Sequence, residues 1–162
     1  LPESLGNLKK LKTLELYNNS TINKLPDSFR NLTELTRLRL PDYFSCFPEQ
    51  ILQLKNLEDL EIGFNKELIA LPDEIGDLIN LKKLSLSGEY NIKTFPSSIN
   101  KLTKLEYFAV GQHIELLPKE LLELSNLKRC YFSGELNINK WERKNKINKN
   151  IIQELRNRGI EL

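Results

Sequence analysis

Six times along this chain an apolar residue precedes proline and opens a block of 22 or 24 residues. The openings are Leu1-Pro2, Leu25-Pro26, Phe47-Pro48, Leu71-Pro72, Phe95-Pro96 and Leu117-Pro118. Behind each, apolar residues return at fixed offsets in the frame L-P-x-x-φ-x-x-L-x-x-L-x-x-L-x-L, with φ standing for Leu, Ile or Phe. The first block runs Leu1, Leu5, Leu8, Leu11, Leu14, Leu16 and Ile22 before Leu25 restarts the cycle; the sixth runs Leu117, Leu121, Leu124, Leu127, Cys130, Phe132 and Ile138. One such block cannot bury its own apolar face, so neighbours must stack, and the repeat dictates a solenoid. A solenoid is built as an extended surface, which points toward binding and away from an enclosed active site.

The end of each block, L-x-x-L-x-L, alternates with period two, as in Leu14-Glu15-Leu16 and Leu38-Arg39-Leu40, and predicts a short strand with one face inward. The opening has wider apolar spacing and suits a polyproline-like or 3₁₀ return path, where proline fixes φ and gives up a donor no ladder needs. Pro41, the seventh proline, instead ends the second strand. Each return brings the chain back to the same end, so successive strands are parallel. Strands are narrower than return segments, so the stack curves with its sheet on the concave side.

The frame resembles that of the leucine-rich repeat proteins over nearly the whole chain. The Leu-Pro-x-x-Ile variety is similar to repeats of bacterial secreted or surface proteins and of plant resistance proteins. The resemblance implies a curved right-handed solenoid, α/β in class, that binds other proteins through its concave parallel sheet. The family places Asn after L-x-L-x-x to bond buried backbone; Asn19 and Asn65 match, whereas Tyr43, Glu89, His113 and Glu135 depart and predict irregular loops. The expected repeats are 1–24, 25–46, 47–70, 71–94, 95–116 and 117–140, with a cap over 141–162. Within the cap, Trp141 fills the next opening column. Residues Asn148 to Arg158 read as a helix with Ile151, Ile152 and Leu155 on one face, Gly159 as its C-cap, and Ile160-Glu161-Leu162 as a last strand. No equivalent polar cap precedes Leu1. Either a preceding segment has been removed, the favoured reading, or the open edge of the first strand is covered by a partner or another copy; the absence of methionine points to a processed or trimmed chain.

The residues alternating with inward leucines form the concave grid. Its first column is Thr13, Arg37, Asp59, Lys83, Tyr107 and Arg129, its second Glu15, Arg39, Glu61, Ser85, Ala109 and Tyr131, and its third Tyr17, Pro41, Gly63, Ser87, Gly111 and Ser133. Over repeats two to four, Arg37-Asp59-Lys83 and Glu15-Arg39-Glu61 alternate in sign, which predicts lateral charge pairing. Over repeats four to six, Ser85, Ser87, Ala109, Gly111 and Ser133 predict a shallow floor beside Tyr107, Tyr131 and Arg129. Tyr and Arg supply large contact area with a polar handle and are enriched at interface hot spots. The candidate recognition patch is therefore Ser85, Tyr107, Ala109, Arg129 and Tyr131, with Lys83 and Arg39 at its margin, for a protein ligand with an acidic or apolar anchor.

Other chemistries find little support. His113 is the only histidine, so the chain cannot assemble a His-based metal cluster. Cys46 and Cys130 lie about four repeats apart, roughly 19 Å at ~4.8 Å per strand, beyond the ~7 Å reach of a disulfide; both are expected as free thiols, Cys130 as a buried space-filler. Phosphate-binding, nucleophile-elbow and zincin motifs are missing, which predicts a non-enzymatic chain without cofactors. The basic run Lys140 to Arg158 reads as the solvated face of a terminal helix and not as a nucleic-acid surface, since it lacks base-stacking aromatics apart from Trp141. A net charge of +2 gives no global pull toward nucleic acid or membrane, and no apolar run approaches the ~20 residues of a span. Asn18, Asn19 and Asn31 lie in glycosylation sequons that matter only in a eukaryotic secretory setting; a secreted or cell-surface location is the expectation. The leading expectation is protein recognition by the concave sheet. Self-assembly through the first repeat, and service as the targeting arm of a larger enzyme or signalling protein, are the alternatives.

Overall fold

A computed structural model describes residues 1–19, 21–41, 44, 46–63, 67–86, 92–111, 116–132 and 146–162. Each opening proline stands in extended backbone, with φ between −66° and −78°, directly before a five-residue 3₁₀ turn. The turns are Glu3–Asn7, Asp27–Asn31, Glu49–Gln53, Asp73–Asp77, Ser97–Lys101 and Lys119–Glu123. Proline's carbonyl accepts the first bond of each turn, as from Leu5 N–H at 3.1 Å and Phe29 N–H at 3.0 Å. Its fixed φ and missing donor therefore cost the turn nothing.

Strands follow at β1 Thr13–Glu15, β2 Arg37–Arg39, β3 Asp59–Glu61, β4 Lys83–Leu86, β5 Tyr107–Val110 and β6 Arg129–Phe132. They form one parallel sheet in chain order, with each grid row in register from strand to strand. The same ladder bond recurs at every step: Arg37 N–H to Lys12 O, Asp59 to Thr36, Lys83 to Glu58, Tyr107 to Lys82 and Arg129 to Glu106, all 2.9–3.1 Å. Glu161 N–H to Lys128 O at 2.9 Å repeats it once more, so the expected final strand is realised as a parallel bridge between Glu161 and Arg129.

The inward column Leu38, Leu60, Leu84, Phe108 and Cys130 is fully buried, and Phe95 packs edge-on against Phe108 at 5.2 Å. Each fully buried side chain of this size contributes about 1.5–3 kcal/mol. On the outside of the stack, asparagines tie three of the repeats to the one before: Asn56 donates to Thr33 O (2.8 Å), Asn80 to Lys55 O (2.9 Å) and Asn126 to Thr103 O (2.7 Å).

The cap helix α1 spans Lys146–Asn157, starting two residues earlier than its sequence pattern suggests. Asn148 in its first turn is buried, and its Oδ1 accepts a hydrogen bond from Leu117 N–H at 2.9 Å. Ile151, Ile152 and Leu155 face the core as expected. The helix ends at Gly159, whose φ of 74° strains any residue bearing a Cβ. Gly159 N–H to Arg156 O (2.8 Å) and Ile160 N–H to Leu155 O (3.0 Å) complete a Schellman closure. Arg158 then donates to Leu122 O and Leu124 O, each at 2.8 Å, so the end of the basic run is engaged in packing. The result is a curved stack of six strand-and-turn units closed at one end by a helix.

Candidate functional site

Parallel register places the candidate residues side by side. Lys83, Tyr107 and Arg129 form one row across β4, β5 and β6, and Ser85, Ala109 and Tyr131 form the next. Arg39 lies two strands away, on β2.

Charge pairing on the first half of the sheet is as the sign alternation predicts. Arg37 reaches Asp59 at 3.3 Å, and Asp59 reaches Lys83 at 3.8 Å. Arg39 lies between Glu15 at 3.7 Å and Glu61 at 3.6 Å, and Lys83 closes onto Glu61 at 3.3 Å. The pairs thus join into one ladder over four strands. Arg39 Nε and Asp59 Oδ1 are buried and lie just beyond hydrogen-bond reach of their ionic partners. A second, exposed set of pairs runs along the strand entrances, Lys82 to Glu58 at 2.8 Å and Lys128 to Glu106 at 2.6 Å. The hydrogen bond from Lys128, its charge and that of Lys82 hold the Glu106 carboxyl below its ordinary value.

The second half of the sheet departs from expectation in one respect. Ser85 and Ala109 are only 4% and 0% exposed, because residues this small sink beneath their larger neighbours. The accessible surface there belongs to the flanks, above all Tyr131, which is 51% exposed. Lys83 Nζ lies 5.6 Å from the centre of the Tyr107 ring, in cation–π range. Arg129 is drawn to the cap, with its Nε 2.7 Å and its other nitrogen 2.6 Å from a Glu161 oxygen. Among the described residues, each cation of the patch thus already has an acidic neighbour. Gly111 of the expected floor is also buried, while Ser87 and Ser133 lie outside the described residues, as do Asn65, Tyr43, Glu89, His113, Glu135 and Trp141.

Asn19 has the turn role its position implies, donating to Leu16 O and Tyr17 O at 3.0 Å each. Both thiols are free, Cys46 exposed and Cys130 buried. Burial pushes the Cys130 thiol up to about 12, against a smaller opposing effect of Arg158, so it packs as an uncharged apolar group at neutral pH. No group of three or more potential metal ligands occurs among the described residues, and no described helix is long and apolar enough to cross a membrane.

Solved structures with the same backbone course include leucine-rich repeat proteins. The repeat domain of the type III effector XopL superposes with a TM-score of 0.72 over 82% of this chain at 23% identity. This fold is a leucine-rich repeat solenoid. The Arabidopsis receptor kinase HAESA, solved with the peptide hormone IDA and the co-receptor SERK1, gives 0.65 over 84% of this chain at 25% identity. Internalin C2 of Listeria monocytogenes gives 0.62 over 85% at 21% identity. This chain spans 47%, 25% and 60% of those three chains, less than two thirds of each. No protein-family model and no curated protein matches it.

Proposed function

We propose that this leucine-rich repeat solenoid is a non-enzymatic recognition module that binds another protein through the second half of its concave sheet. The observation that carries the reading is the aromatic flank, exposed Tyr131 with half-buried Tyr107 beside Lys83, on a sheet whose charges are otherwise paired among themselves. HAESA, which shares the fold, is a receptor solved with a peptide hormone and a co-receptor, and this supports a protein or peptide ligand here. A rigid sheet holds its side chains in fixed register before the partner arrives, which lowers the ordering cost of association. Since each cation of the patch has an acidic neighbour, the anchor that fits best is apolar or aromatic, stacking on Tyr131, and not a carboxylate.

The test compares wild-type protein with a Tyr107→Ala/Tyr131→Ala variant, both immobilised and exposed to extract of the source cells. A bound protein that the variant no longer retains, with the thermal midpoint of the variant unchanged, supports the patch. Equal retention by both refutes it.

A further inference from the structure

The cations of the concave patch are neutralised in two different ways. Arg39 lies between Glu15 and Glu61, and Lys83 between Asp59 and Glu61, so losing any one carboxylate leaves each of them a second. Arg129 has a single carboxylate partner among the described residues, Glu161, whose Oε2 takes both its Nε at 2.7 Å and an Nη at 2.6 Å. Arg129 shares β6 with Tyr131, two residues on, and strand alternation puts both side chains on the concave face.

The backbone delivers Glu161 to this place. Its N–H donates to Lys128 O at 2.9 Å and its carbonyl accepts from Cys130 N–H at 2.7 Å, so it is bonded on both sides of Arg129. A carboxylate held within the molecule competes at high effective concentration against one arriving on a ligand. It also occupies one edge of a guanidinium fork that would otherwise suit an incoming carboxylate. Both side chains stay open to solvent, 55% and 65% exposed, so an arginine released from Glu161 is accessible and not a stranded buried charge.

We propose that Glu161 is the specificity-determining residue of the patch: by occupying Arg129 beside Tyr131, it excludes ligands that carry a carboxylate next to their aromatic or apolar anchor. The inference rests on the concave-sheet reading and adds the charge of the ligand to it. The partner it fits is a protein segment whose anchor has no acidic neighbour. Glu161 has this effect alone, because Arg39 and Lys83 keep a carboxylate whichever one is removed.

The probes are N-acetyltryptophanamide and N-acetyltryptophan, which differ by one carboxylate, titrated into the full chain and followed through the ring signals of Tyr131 by NMR. Wild type should bind the amide at least as tightly as the acid. Glu161→Gln keeps the shape of the side chain and should tighten the acid by about fivefold, with the amide within about twofold, as fits one solvent-exposed ion pair. Arg129→Gln/Glu161→Gln should lose that gain, because the cation that receives the carboxylate is gone. An acid-to-amide ratio unchanged by Glu161→Gln, while both probes still shift Tyr131, overturns the role of Glu161 and leaves the concave-sheet reading standing. A gain that persists in the double variant overturns it as well, since another cation is then the receiver. Tyr131 signals that neither probe shifts in any variant count against the concave-sheet reading itself, and the inference falls with it.

Discussion

The two halves of the concave sheet share a backbone, a register and a buried apolar column, yet present different chemistry. From β1 to β4 the outward side chains pair with one another, Glu15 to Arg39 to Glu61 to Lys83 to Asp59 to Arg37. From β4 to β6 the same two rows carry buried Ser85 and Ala109 flanked by Tyr107 and Tyr131, and the one cation at the end, Arg129, is held by Glu161. A partner approaching the first half must displace side chains already paired with opposite charges. At the second half it meets aromatic surface whose desolvation is favourable. The inward columns build the solenoid, and under the proposed function the residues between them decide where it binds.

If the halves differ only in those outward rows, their cores should be equally costly to damage. Phe108→Ala in β5 should lower stability by ~3–5 kcal/mol and Leu60→Ala in β3 by ~2–5 kcal/mol, read from urea unfolding. A cost confined to one half would break the comparison. Next in size, the Tyr107→Ala/Tyr131→Ala variant should lose about 2 kcal/mol of binding, roughly thirtyfold in Kd for a partner the wild type retains. Arg37→Ala and Arg39→Ala should leave that Kd within about threefold, as fits residues outside the hot spot.

A smaller effect is expected within the ladder. Arg39→Met should change stability by less than ~1 kcal/mol, and the difference should shrink in high salt if exposed ion pairing is its source. Smallest is Glu106→Gln. The folded-state pKa of Glu106 is lowered, so its stabilising contribution is present above its ordinary value of 4.5 and is lost as pH falls through the folded value. Wild type and variant should therefore differ slightly in thermal midpoint at neutral pH and converge below pH 4.5. A gap that widens on acidification would contradict the assigned pairing.

Most of the fold is legible because each apolar column repeats and each proline marks a turn. The pairing of Arg37, Asp59 and Lys83 was legible for the same reason, since parallel register makes neighbours of equivalent positions. The burial of Ser85 and Ala109 was not, because it depends on how far the side chains around them reach, and the frame does not encode that. Asn148 was missed as a core residue because its polarity hides a role in bonding the Leu117 backbone. The turn-to-turn bonds of Asn56, Asn80 and Asn126 did leave a signal: Asn recurs directly before the Leu57, Leu81 and Leu127 column.

The most direct test of the recognition surface is site-specific photocrosslinking in extract of the source cells. A photoreactive side chain is placed in turn at Tyr131, at Arg37 and at Ile79, an exposed residue of the turn ahead of β4. A protein adduct formed at position 131 and weak or absent at 37 and 79 is the predicted result. Adducts of equal yield at all three positions, or strongest at 37 or 79, would contradict recognition by the second half of the concave sheet.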